Sequence, residues 1–260
     1  MPQNAAPQKS GTPVNSIGRA LDILEYLTYS LSTPVGISEI SRYFDINRTT
    51  TYNLVSSLME KGYVGKTLNG KYTVTSRLFE LGTVFQNSFS LVHLVKRSVF
   101  PLPEGAKCTS KLTILADNMR AVIIFSRSNE DDLSQLPLGY SFPLHTSASG
   151  KVLLAHAPQV VLDNYIASTD LKRYTENTIT DKAMFLEELS KVKENGFAVD
   201  NCEYTPDQIC LSAPVINNMG TIAAISVSGR VKMMEKYRDQ ILPDLLSYTY
   251  SLSLESGYVP

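Results

Sequence analysis

Apolar residues recur at helical spacing through the first part of the chain and at strand-like spacing through much of the second. Ile17, Ala20, Leu21, Leu24 and Leu27 form one stripe, the pattern of a helix with a single side against a core. A short helix follows from about Ile37. A three-residue connection, Phe44, Asp45 and Ile46, then leads to Asn47, whose side-chain oxygen suits an N-cap. Beyond it Thr51, Leu54, Val55 and Leu58 repeat at i, i+3, i+4 and i+7 and are expected to face inward. Tyr63 and Val64 open a strand, Asn69-Gly70 offers left-handed turn residues, and Tyr72 and Val74 return. Three helices and a hairpin in this order predict a winged helix-turn-helix over residues 16–75.

A long apolar-rich helix is expected next, over about 76–100, through Leu78, Phe79, Leu81, Val84 and Phe85. Such a face needs cover, from a second copy of the chain or from packing on its own. Pro101 and Pro103 end it. The remainder, 101–260, reads as an α+β domain. KLTILA and AVIIFS flank a hairpin turn at Asp117-Asn118-Met119, and Ser141–Leu144 runs extended into a helix across Ser147–His156. Further helices are expected near 159–168 and 181–195, the latter capped by Thr180 and ended by Gly196. Strands FAVD, ICLSAPVI and TIAAISVSG precede a closing helix over about 233–254.

The outward side of the third helix carries chemistry suited to base edges. Arg48, Thr49, Thr50, Tyr52, Asn53 and Ser56 supply short hydrogen-bonding groups, one cation and one aromatic ring, which fits a major groove. Lys66 and Lys71 flank the hairpin turn, placed to meet phosphates. The plainer alternative is a solvated amphipathic helix. Charge separates the two parts mildly. Residues 1–75 hold seven Lys or Arg against five acids, while the whole chain carries a net −1. That fits a small basic reader joined to an acidic module rather than a protein coating nucleic acid.

No run approaches the roughly 20 apolar residues of a membrane span, and residues 1–15 read as a polar, disordered lead-in without a signal-peptide core. Cys108, Cys202 and Cys210 make an odd set without metal spacing, so neither a disulfide framework nor a metal or other cofactor is expected. The chain reads as cytoplasmic.

The stretches IGRALDILEYL, GYV with its hairpin, SRLFELG, PLHTSASGKVLLA, NTITD and GFAVDNCEYTPDQICLSAPV with GTIAAISVSG make the chain resemble the IclR family of bacterial transcription regulators. The likeness runs from about Ser16 to the last helix. It implies a winged helix-turn-helix, a linker helix used for dimerisation, and a GAF-like effector-binding domain taking a small, often carboxylate-bearing molecule. It also implies dimers, or dimers of dimers, on double-stranded operator DNA. The chain departs from the family pattern at Asn47, Asn53, Thr75 and the proline-containing stretch FPLPEG.

The small residues ahead of the helix at 148 suit an anion, because a helix start leaves amide donors unpaired. A capped helix without ligand is the alternative. The Gly150-Lys151 pair is no phosphate loop, since His145 and Val152 occupy positions that motif needs for glycine and hydroxyl residues. By resemblance, Ala148, Ser149, Asp200, Cys210, Ser226 and Ser228 line the effector cavity, and Glu203 is structural, pairing with Lys151 or Arg230. Competing readings are a Cys202–Cys210 redox sensor or reductase and a DNA-binding regulator without effector. The expectation is a regulator, not an enzyme.

Overall fold

The computed structural model describes residues 15–30, 33–88, 100–116, 119–128 and 138–259. The lead-in, the linker helix beyond Ser88 and the turn residues Asp117 and Asn118 lie outside the described residues. The chain divides into two compact units, 1–91 and 92–260.

In the first unit, α1 (Asn15–Tyr29), α2 (Ile37–Phe44) and α3 (Arg48–Glu60) precede a hairpin of β1 (Val64–Lys66) and β2 (Tyr72–Val74). Ile23, Leu27, Ile40, Val55, Val64 and Tyr72 are buried together, which closes the three helices and the hairpin around one core. Asp45 adopts the left-handed conformation (φ 55°) that ends α2 and turns the chain toward Asn47. Asn47 caps α3 as expected, its Oδ1 accepting from the Thr50 amide at 2.8 Å. Two expectations need correction. Ile17 and Leu21 are 60% and 53% exposed, because the buried ridge of α1 runs through Ile23 and Leu27. In the hairpin only Gly70 is left-handed (φ 74°). The Gly70 amide donates to the Thr67 carbonyl, so the turn spans Thr67–Gly70 and is longer than an Asn-Gly two-residue loop. The next helix, α4 (Arg77–Ser88), leaves Phe79, Leu81 and Val84 exposed.

The second unit is built on one antiparallel sheet. Among the described residues its strands are β3 (Cys108–Ala116), β4 (Arg120–Ser128), β5 (Ser141–Pro143), β6 (Ala198–Asn201), β7 (Gln208–Asn217) and β8 (Gly220–Arg230). Their order is β5-β4-β3-β8-β7-β6. The first and last of these strands in chain order thus meet at the sheet's centre, where β3 pairs with β8. Among the described residues its α-helices are α5 (Ala148–Ala155), α6 (Gln159–Ser168), α7 (Lys182–Asn195) and α8 (Val231–Glu255).

Alternation along the strands sorts the two faces. Gly229, Val227, Ile225 and Leu211 turn toward α8, and a Cβ on Gly229 would meet the Met234 sulfur at 3.3 Å. Cys210, Ser212, Ser226 and Ser228 alternate with them and turn toward α5. The cap of α7 is Asp181, whose carboxylate accepts from the Met184 amide at 2.9 Å. This corrects the assignment to Thr180, one residue too early. Gly196 ends that helix with φ 76°, as expected.

Candidate functional site

The polar side of α3 is open. Arg48, Thr49, Tyr52 and Asn53 are exposed, whereas Thr50 and Ser56 are half-buried at its margins. Thr51, Val55 and Leu58 point into the core, which fixes the rotation of the helix and leaves the polar side outward. A groove of about 520 Å³ separates the start of α3 from the hairpin, lined by Ile37, Arg48, Thr49, Tyr52, Lys66, Gly70 and Tyr72. The Lys66 ammonium sits 5.7 Å above the Tyr72 ring. Lys71 lies 3.9 Å from Glu39 with both side chains solvated, a geometry that screening makes weak. One wall of this groove thus offers hydroxyls and an arginine, and the other a lysine.

The start of α5 is locked from below. His145, buried, accepts or donates through Nδ1 to the Tyr165 hydroxyl at 3.0 Å and through Nε2 to the Lys172 carbonyl at 3.0 Å. Burial lowers its pKa, so it serves as a neutral structural group. The Ser147 hydroxyl then caps α5, accepting from the Gly150 amide at 3.0 Å. Helix geometry leaves the amides of Ala148 and Ser149 without intrahelical partners. Gly150 permits this arrangement. A Cβ there would come within 2.2 Å of the Leu144 carbonyl oxygen.

Opposite α5, strand register sets the candidate residues in rows. Asp200 pairs with Cys210, Cys210 with Ser228, and Ser228 with Thr109. The adjacent row runs Ala198, Ser212, Ser226 and Lys111. Directly paired residues share a face, so Asp200, Cys210, Ser226 and Ser228 do come together. Helix and sheet meet where the Ser212 hydroxyl stands 3.5 Å from that of Ser149. Ser212 was missed in the sequence, although its place two residues after Cys210 would have revealed it. Lys111 was missed too, and its signal was a lysine opening the apolar run LTILA. That lysine is buried and donates to the Ser228 hydroxyl at 2.8 Å.

Electrostatics differ along the rows. Burial pushes the Asp200 carboxyl up to about 7, although its Oδ1 accepts from the Glu203 amide at 2.7 Å. Burial also pushes the Cys210 thiol up to about 12. A thiol so hard to ionise is a poor nucleophile, which counts against the redox sensor. Beside the rows, Lys151 meets Glu203 at 2.6 Å, Glu188 at 3.1 Å and the Val199 carbonyl at 3.0 Å. Glu203 is therefore structural and pairs with Lys151. An open cleft of about 680 Å³ lies elsewhere, along the outer strand β6, lined partly by Glu188, Val199, Met234 and Arg238. It contains none of the candidate effector residues. Among the described residues no helix is long and apolar enough to cross a membrane, and no cluster suits a metal ion.

Comparison with known proteins agrees with this architecture. Residues 16–67 match the IclR helix-turn-helix domain, and residues 86–254 match the C-terminal domain of bacterial IclR transcriptional regulators. The HTH-type transcriptional regulator BhcR of Paracoccus denitrificans is 31% identical over 89% of this chain and 83% of its own length. The crystal structure of Thermotoga maritima IclR is 27% identical, with a TM-score of 0.63 over 92% of this chain and 99% of that one. An IclR homologue from Microbacterium hydrocarbonoxydans, crystallised with 4-hydroxybenzoate, has the same fold. It is 20% identical, with a TM-score of 0.69 over 93% of this chain and all of that one (100%).

Proposed function

The chain belongs to the IclR family of bacterial transcription regulators, and from that premise we propose how it reads DNA and what it senses. It is a DNA-binding regulator with a ligand-binding C-terminal domain. In our reading Arg48, Thr49, Tyr52 and Asn53 enter the major groove, Thr50 and Ser56 support them, and Lys66 and Lys71 hold the phosphates. Two copies pair through the linker region at 76–100, for which the exposed Phe79, Leu81 and Val84 supply apolar surface. Pairing sets two readers on half-sites about one helical turn apart. The relatives are named as transcriptional regulators, and we assign no catalytic role and a cytoplasmic location.

The effector is a small organic acid seated between the start of α5 and the row Asp200, Cys210 and Ser228. One observation carries this: the free-amide end of α5 faces hydroxyl-bearing strands across the Ser149–Ser212 contact. The aromatic acid bound by the Microbacterium homologue belongs to the same chemical class. Ligand occupancy shifts operator binding only through unequal affinity for the two arrangements of the paired readers.

Thermal unfolding of the full chain against a panel of small acids tests the assignment. Stabilisation that Ser228→Leu abolishes, together with its operator response, supports it. Failure of every acid to stabilise, with an intact operator response in Ser228→Leu, refutes it.

A further inference from the structure

Leu68 is the most exposed large apolar side chain among the described residues. It stands at the tip of the hairpin, within the turn Thr67–Gly70 that joins β1 to β2. Asn69 and the left-handed Gly70 beside it are ordinary turn residues, and leucine is not. A side chain as exposed in the folded state as in the unfolded one adds no hydrophobic stability. A lone exposed leucine is common on protein surfaces; the setting of this one sets it apart.

The turn that carries Leu68 is held by its own hydrogen bonds. The Thr67 amide donates to the Lys71 carbonyl at 2.7 Å, the Gly70 amide to the Thr67 carbonyl at 2.9 Å, and the Lys71 amide to the Thr67 hydroxyl at 3.1 Å. Leu68 is therefore a fixed apolar point. Lys66 and Lys71 flank it on the two arms of the hairpin, which lie about 5 Å apart. The same hairpin, through Lys66, Gly70 and Tyr72, forms one wall of the groove whose other wall is the start of α3. With α3 in the major groove, the tip beside it reaches the flanking phosphates and the adjacent minor groove. That groove is about 6 Å wide and admits a side chain between two rows of phosphates. An apolar tip with a cation on each arm matches this cross-section.

We infer that Leu68 is an apolar wedge for the minor groove next to the bases that α3 reads. It packs against the sugars, partly unstacks one base step and bends the duplex there. Pyrimidine–purine steps unstack most easily, so the wedge selects such a step by its deformability, without a hydrogen bond to it. This rests on the DNA-reading assignment given above and adds a second source of sequence preference at positions α3 does not touch.

The test is selection of duplexes from a randomised pool by the full-length wild type, Leu68→Ser and Leu68→Met, followed by anisotropy and end-to-end fluorescence transfer on the wild-type winner. Leu68 packs on nothing, so both variants fold. Wild type and Leu68→Met should enrich a pyrimidine–purine step at fixed spacing from the bases under α3. Leu68→Ser should keep those bases and lose the step. On the wild-type winner it should bind about tenfold more weakly and bend the duplex less, with the salt slope unchanged because no phosphate contact is lost. A wild-type motif without such a step overturns the wedge. So does a Leu68→Ser protein that enriches the same step, bends the duplex equally, shows a reduced salt slope or loses the bases under α3 as well. A pool from which the wild type enriches no motif overturns the DNA-reading assignment itself, and this inference with it.

Discussion

Lys151 of α5 and Glu203, just past β6, form a buried ion pair with Nζ 2.6 Å from Oε1. The pair fastens the helix to the edge of the sheet, and Glu188 and the Val199 carbonyl complete the lysine's shell. Burial raises the pKa of Glu203, with Lys151 pulling the other way. Removing one member of a buried pair leaves an uncompensated charge. Lys151→Met should therefore cost about 3–5 kcal/mol of stability in urea unfolding. Glu203→Gln should cost less, because Glu188 still faces the ammonium.

Asp200 gives the unit a pH signature. Its folded pKa of about 7 stands above the ordinary 3.8, so the folded state holds this proton more tightly than the unfolded chain does. The contribution is complete below pH 3.8 and is lost as pH rises through about 7. Asp200→Asn should match wild type near pH 4 and exceed it at pH 8 by roughly 3–8 °C in Tm. Thermal unfolding across that range reads the crossover directly.

Gly150 lies so close to the Leu144 backbone that any side chain must displace either α5 or the turn before it. Gly150→Ala should destabilise the C-terminal unit by about 3 kcal/mol and lower effector affinity. Denaturant unfolding and ligand titration measure the two effects separately.

The proposed DNA contacts separate into residues of α3 that would specify sequence and hairpin lysines that would hold phosphates. Tyr52→Ala and Asn53→Ala should relax sequence preference, by about 1–3 kcal/mol where a base contact is lost. Lys66→Ala should weaken specific and random duplexes alike and reduce the salt slope by about one. Lys71→Ala should follow the same pattern more weakly, since Glu39 shares its charge. Fluorescence anisotropy on both duplexes over a salt series distinguishes them.

Periodicity carried the helices of the first unit well, because they bury one face each against a shared core. The central strands β3 and β8 are instead buried on both faces and read as continuous apolar runs. The Asn47 cap and the two-residue spacing of Ser226 and Ser228 were legible for the same local reason. The failures were also physical. Ile17 and Leu21 look like core, but a neighbouring ridge of the same helix is buried, and a stripe does not tell which of its edges packs. Thr180 and Asp181 are both good caps, and only geometry chooses between them. Lys111 and Ser212 join the candidate site through pairing between strands distant in the chain, which no local spacing expresses.

The row Thr109–Ser228–Cys210–Asp200 takes one residue from each of four strands, one near the start of the C-terminal unit and the others from its later half. Anything resting across it would act as a reversible staple between stretches that the chain itself joins only through long excursions. Protection from amide exchange should then rise across β3, β8, β7 and β6 in concert, rather than in one loop.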